Sequence, residues 1–374
     1  MKDMTLTNKD LIDALRTVLD PDLKKDLVSL NMVKEARFTN GRVVIGVELT
    51  TPGRPMKDKI RADIEAAVGL RARELGISLL GTTVEFTADV RSPNQKLREG
   101  ESNPLPLVKQ IIAVGAGKGG VGKSTVSVSL AVGLARKGAR VGLLDADIYG
   151  PSMPTMLGLE DVPTAARGQM LLPFEVHGIK AMTIGKLVDA DKPLIWRGPM
   201  AHGAFKQLAT QTDWGALDYL VVDLPPGTGD VSLTMAQLLP ITGAVVVCTP
   251  QRVALDDARR AVRMFEQLGI EVLGVVENMS YFIGDDGKVY DLFGRGGAEI
   301  FAQTIGIPYL GAIPINTALR ENCDRGTPLR NWEPSARGDL SLARELDAMC
   351  GNVVSQISIA TLGGRLEQPS IGVS

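Results

Sequence analysis

Cysteine is scarce in this chain of 374 residues: Cys248, Cys323 and Cys350 are the full complement, and no two are close in sequence. That excludes a disulfide framework and any CxxC metal or redox pair. The two histidines, His177 and His202, have no metal-ligand partners near them in sequence and are read as structural. No apolar run approaches the roughly 20 residues that cross a bilayer. The opening MKDMTLTNKD lacks the apolar core of a signal peptide. A formal net charge of −2 gives no overall bias toward nucleic acid or an anionic membrane. These absences lead us to expect a cytoplasmic protein with neither nucleic-acid nor membrane partners. Apolar residues at 44% suffice for a large interior, and the length exceeds one typical core, so two domains are expected.

The most informative stretch is Ile111 to Leu130, IIAVGAGKGGVGKSTVSVSL. An apolar run reads as a buried parallel strand, a glycine-rich turn follows, and Lys123 opens a helix with Val126, Leu130 and Leu134 on one face. Strand, GxxxxGK[ST] and helix in that order form a phosphate-binding loop. Gly117, Lys118, Gly119, Gly120, Val121, Gly122, Lys123, Ser124 and Thr125 are therefore assigned to nucleotide binding. Glycines let successive N–H groups face one concavity, and the helix N-terminus adds positive potential. Lys123 is expected along the β- and γ-phosphates, and the Ser124 hydroxyl on Mg²⁺.

Around this loop the chain falls into segments. Residues 1–89 predict a small α+β domain: a helix over 8–19, a hairpin turning at Asn40-Gly41, a helix over 55–75 and a strand over 82–86. Residues 90–107 are polar, bear prolines and read as a linker. Residues 108–350 predict an α/β domain with a doubly wound, mostly parallel sheet, and 351–374 a C-terminal tail. Within the larger domain Val141 to Leu144 is a buried strand ending in Asp145 and Asp147. Tyr219 to Val222 is another, ending in Asp223, the Walker B position that holds Mg²⁺. Asp223 leads into a Pro-Pro-Gly-Thr-Gly loop whose Gly227 amide is placed to sense a γ-phosphate. Further strands cover 244–248 and 272–276. The segment Asp285-Asp286-Gly287 reads as a tight hairpin turn. Trp196 to Met200 fits either an interface segment or a turn leading into a helix.

Lys118 inside the loop resembles the signature lysine of the dimerising P-loop ATPases, which include nitrogenase iron protein, MinD and ParA. More narrowly, VGAGKGGVGKSTVSVSLA, DADIYGPSMP, WRGPM, DYLVVDLPPGTGD and ENMSYF resemble the Mrp/ApbC family of iron–sulfur cluster carrier ATPases. The first domain resembles the small module that accompanies many iron–sulfur assembly factors. The resemblance implies an ATPase that works as a homodimer and transfers clusters to apoprotein clients. It places Lys118 on the partner subunit's nucleotide, Asp145 in the Mg²⁺ shell and Asp147 on the attacking water. It also places Asn278 on the adenine edge, with Pro314 and Asn316 covering the other side. From residue type alone Lys118 can also be a solvated loop lysine, Asp147 a turn cap and Asn278 a turn former. Many family members carry a CxxC after the ENMSYF-like segment, and two pairs across a dimer would hold one [4Fe–4S] cluster. Here neither cysteine is present, and Arg54 stands where the first domain's relatives have a cysteine. Cys323 is then a candidate iron–sulfur ligand, Cys248 ending a strand that should be buried. A cluster-free dimeric ATPase switch that docks partners through the first domain is the alternative, and MinD/ParA-like positioning a further one.

Overall fold

The computed structural model describes residues 6–20, 25–30, 32–48, 54–87, 103–147, 150–186, 198–284, 286–334 and 340–366. The chain divides into two units, Met1–Pro93 with Thr361–Ser374, and Asn94–Ala360.

In the first unit α1 (Asn8–Leu15) opens on a capping box, in which the Asp10 amide donates to Thr7 Oγ1 and the Thr7 amide to the Asp10 carboxylate. The helix predicted to reach Leu19 ends at Leu15. Thr17 Oγ1 donates to the Ala14 carbonyl (2.7 Å), and Leu19 instead forms an isolated bridge with Asp26. Strands β1 (Val33–Thr39) and β2 (Arg42–Glu48) form the expected antiparallel hairpin. Its turn residues, Asn40 (φ 50°) and Gly41 (φ 77°), both take the left-handed conformation that a two-residue hairpin requires. Helix α2 (Arg54–Glu74) then crosses to β3 (Gly81–Thr87), which pairs parallel with β2. Ile60, Ile64, Val68 and Ala72 recur every four residues along α2 and are buried in one core with Val43, Ile45 and Val47 of β2. The Thr50–Gly53 segment lies outside the described residues.

The second unit begins with β4 (Val108–Gly115), α3 (Lys123–Arg136) and β5 (Val141–Asp145). There follow α4 (Met153–Met156), β6 (Ala165–Arg167), β7 (Met170–Leu172), β8 (Phe174–Val176), β9 (Ile179–Thr183) and α5 (Gly198–Thr210). The pattern continues as β10 (Leu217–Asp223), α6 (Asp230–Leu238), β11 (Gly243–Cys248), α7 (Arg252–Gln267) and β12 (Val272–Ile283). It closes with β13 (Val289–Tyr290), α8 (Gly297–Ile305), β14 (Tyr309–Ile315), α9 (Thr317–Asp324) and α10 (Ser341–Leu366). One sheet runs β13-β12-β11-β4-β10-β5-β9-β8, with β14 also on β12, and only β8 and β13 run antiparallel to their neighbours. Along β4 the side chains alternate between two cores: Ile112 and Val114 pack with α3 and α10, Ile111 and Ala113 with α5 and α7. Helices thus cover both faces, which is the doubly wound arrangement expected. The proposed tail is helical to Leu366. Leu346, Met349, Cys350, Val353 and Ile357 are buried at helical spacing, so the apolar periodicity continues past residue 350. Trp196 and Arg197 are outside the described residues, and α5 starts at Gly198.

Candidate nucleotide site

All parallel strands deliver their carboxyl ends to one edge of the sheet, and the sequence-predicted site residues collect there. The loop leaves β4 at Gly115 and enters α3 at Lys123. Gly120 and Gly122 both have φ of 80°, and Gly122 is the helix N-cap with no side-chain cap, so the first amides of α3 have no capping side chain. A Cβ on Gly117 would stand 2.0 Å from the Asp257 carbonyl oxygen, because α7 passes against the loop. Around Gly119 and Gly120 nothing lies within 4 Å of such a position.

Next to the loop, the Lys123 ammonium sits 2.7 Å from Asp223 Oδ1 and 3.8 Å from Asp147 Oδ2. Ser124 Oγ donates to Asp223 Oδ2 (2.6 Å) and Ser127 Oγ to Asp223 Oδ1 (2.7 Å). Asp223 and Asp145 are directly paired in the register of β10 and β5, and both are fully buried. Thr183 Oγ1 donates to Asp145 Oδ2 (2.8 Å), and the Asp147 amide donates to Asp145 Oδ1 (3.1 Å). Burial, and next the charge of Asp223, push the Asp145 carboxyl up to about 7. Two buried carboxylates and a hydroxyl are a hard-oxygen set short of positive charge, and they fit Mg²⁺. Among the described residues no three His, Cys, Asp or Glu side chains form a metal cage. Mg²⁺ needs none, since it keeps waters and takes substrate phosphates as ligands.

Sequence reasoning missed Ser127 and Thr183. Ser127 follows Lys123 by one helical turn, a spacing visible in sequence. Thr183 could not be found, because nothing local says that β9 lies beside β5.

The remaining assigned residues are distributed as follows. Lys118 is partly exposed in the loop and forms no ion pair among the described residues. Thr125 is half-buried in the first turn of α3. The Gly227 amide donates to the Ala116 carbonyl (2.9 Å), which ties the loop after β10 to the phosphate loop. Asn278 is buried and donates from Nδ2 to the Val121 carbonyl (2.8 Å). Pro314 is buried near the end of β14, and Asn316 caps α9 by accepting from the Leu319 amide (3.0 Å).

The thiols are withdrawn from this edge chemistry. All three are buried. Burial pushes Cys248 up to about 12, with the Glu277 charge adding to it, and pushes Cys350 to about 12. Cys323, on α9, is pushed up to about 11 by burial and by the charge of Asp324. Of the expected Asp285-Asp286-Gly287 turn, Asp285 lies outside the described residues; between β12 and β13 the Gly287 amide donates to the Gly284 carbonyl (3.0 Å) and the Gly284 amide to the Lys288 carbonyl (2.9 Å). The Asp286 carboxylate accepts from the Lys288 amide (3.0 Å) and from the Tyr290 hydroxyl (3.0 Å).

A family profile described as NUBPL iron-transfer P-loop NTPase matches residues 107–353, and one described as iron–sulfur cluster assembly protein matches residues 8–74. An iron–sulfur cluster carrier protein of Synechocystis sp. is 46% identical over 364 residues, covering 96% of this chain and 99% of its own length. One of Deinococcus radiodurans is 45% identical over 367 residues, with 96% and 99% covered. Among solved structures, a nucleotide-binding protein from Archaeoglobus fulgidus in complex with ADP superposes with a TM-score of 0.56 at 38% identity, covering 67% of this chain and 97% of that one.

Proposed function

This chain belongs to the iron-transfer P-loop NTPase family, and from that premise we propose that it is a Mg²⁺-dependent ATPase, homodimeric and cytoplasmic, that carries iron–sulfur clusters to apoproteins. The nucleotide half of the reading rests on one observation: Lys123, Ser124 and Ser127 all converge on the buried Asp223 beside a loop with uncapped amides. The carrier half rests on relatives named for that role at 46% and 45% identity, and on the assembly profile over the first unit.

On binding ATP, Lys123 would leave Asp223 for the β- and γ-phosphate oxygens, while the loop amides and the N-terminus of α3 take the remaining charge. Ser124 and Asp223 would hold Mg²⁺, with Asp145 behind them. Bound there, the ion would neutralise charge on the β- and γ-phosphate oxygens. Asp147 would accept a hydrogen bond from the attacking water and aim it. A bond would form from the water oxygen to the γ-phosphorus as the bond to the bridging oxygen breaks; ADP would depart with that electron pair, and a proton of the water would pass to a γ-phosphate oxygen, giving inorganic phosphate. Lys118 of a second copy would lie against the transferring phosphoryl group.

The test is turnover. Lys123→Ala should abolish hydrolysis. Lys118→Ala should bind ATP normally and turn over slower by about 10³-fold, the scale of a charge supplied in trans. Normal turnover by Lys118→Ala removes the trans role. For the cargo, anaerobic reconstitution followed by iron, sulfide and absorbance measurements should load a cluster that passes to an apoprotein. The buried, high-pKa thiols favour a second reading, a cluster-free nucleotide switch acting on partner proteins. Absence of bound iron under conditions that load a CxxC-bearing relative would select it.

A further inference from the structure

The carboxyl end of β12 is fastened on two sides. Glu277, fully buried, accepts from the amides of Gly296 (2.9 Å) and Ala298 (2.7 Å) and from Ser280 Oγ (2.5 Å), which ties the strand to the start of α8. One residue on, Asn278 reaches 157 positions back in sequence to the Val121 carbonyl. Met279 follows at φ 54°, a left-handed conformation uncommon outside glycine, and the register against β14 shifts between Asn278 and Phe282. A Cβ on Gly122 would stand 2.1 Å from Asn278 Nδ2, so the amide side chain lies directly on the Val121–Gly122 peptide.

A trans peptide directs its C=O and N–H to opposite sides. No cis peptide occurs among the described residues, so holding the Val121 carbonyl toward Asn278 turns the Gly122 N–H away from it. Gly122 is the N-cap of α3, where a loop N–H serves an anion. We infer that Asn278 is a positioning residue for the phosphate loop: it fixes the orientation of the Val121–Gly122 peptide and thereby of the Gly122 amide offered to a nucleotide's phosphates. Glu277 supports it by anchoring the strand end from which it projects. The role rests on the nucleotide-binding reading above and makes a different demand from contact with a base edge. A loop clamp affects every ligand that carries the phosphate chain, whereas a base contact affects only ligands that carry the base.

The experiment measures binding of Mg²⁺–ATP, Mg²⁺–GTP and Mg²⁺–tripolyphosphate by calorimetry to the full chain and to Asn278→Ala and Asn278→Leu, with thermal unfolding of each. Asn278→Leu keeps the bulk and removes the donor. Both variants should weaken all three ligands by a common factor of about 10, the scale set by one buried hydrogen bond. Loss confined to ATP, with tripolyphosphate bound as before, would overturn the inference in favour of a base contact. Full binding by Asn278→Leu would overturn it in favour of packing. If the unaltered chain bound neither ATP nor tripolyphosphate, the nucleotide reading would fall first and this inference with it.

Discussion

Replacing Lys123 with alanine should change the nucleotide-free protein as much as it changes catalysis. The ammonium is 6% exposed and lies 2.7 Å from a fully buried Asp223, with Asp147 at 3.8 Å and Asp145 paired to Asp223 in register. Breaking a buried pair by removing one partner costs about 3–5 kcal/mol, since the other charge stays buried without compensation. At about 2–4 °C per kcal/mol for a domain of this size, the larger unit should melt roughly 6–20 °C earlier. Lys123 holds the Asp145 carboxyl down, so its loss should raise that carboxyl further above about 7. The deficit should respond to Mg²⁺ alone, because the ion takes the place of the missing cation. A hundredfold excess over its dissociation constant would return about 2.7 kcal/mol. Scanning calorimetry of both proteins, with and without MgCl₂ and without nucleotide, measures this. A Lys123→Ala protein melting within about 2 °C of its parent and indifferent to Mg²⁺ would refute the reasoning, since the lysine would then not be compensating buried charge.

Two further outcomes follow from the same physics. The Cys248 and Cys350 thiols, pushed up to about 12, should resist alkylation at pH 8 in the folded chain. Their thiolate fraction is about three orders of magnitude below that of an ordinary cysteine, so iodoacetamide labelling followed by mass spectrometry should mark them only after unfolding. Asp218 accepts from the Arg140 amide and from its guanidinium (3.0 Å) and lies 3.0 Å from the Lys109 ammonium. Burial pushes its carboxyl up, but the hydrogen bonds from Arg140 and the charge of Lys109 outweigh that and hold it below the usual range. A depressed folded value means stability that is present above the ordinary carboxylate pKa and lost as the pH falls through the folded one. Asp218→Asn should therefore cost about 1.5–3 kcal/mol at pH 7 in urea unfolding, with the difference shrinking below about pH 4.

Much of the site was legible because its chemistry is local in sequence. Glycines at 120 and 122, then Lys123 and Ser124, dictate a left-handed turn into a helix start within a few residues, and the structure builds that turn. Asp145 and Asp223 were legible as the last residues of apolar strands. What escaped depends on which strands become neighbours. Thr183 meets Asp145 only because β9 lies beside β5, and Asn278 meets Val121 only because β12 reaches the same edge as the phosphate loop. The early end of α1 escaped for a smaller reason: Leu19 keeps helical spacing, but the Thr17 hydroxyl and the bridge to Asp26 offer that segment a competing arrangement. The continuation of α10 was legible in the apolar spacing of Leu346, Met349, Val353 and Ile357 and was obscured by Gly351 within it and by the glycines beyond.

The strand order also sets a timetable for synthesis. The three strands of the small unit's sheet come from consecutive stretches and can pair once residue 87 has left the ribosome. β4 has no such company: its partners are β10, about 110 residues later, and β11 beyond that. At about 5–20 residues per second, this apolar segment emerges some 5–20 s before it can be paired. The nascent larger unit therefore presents this apolar strand, and the nucleotide loop that follows it, to chaperones before it can present them to a nucleotide.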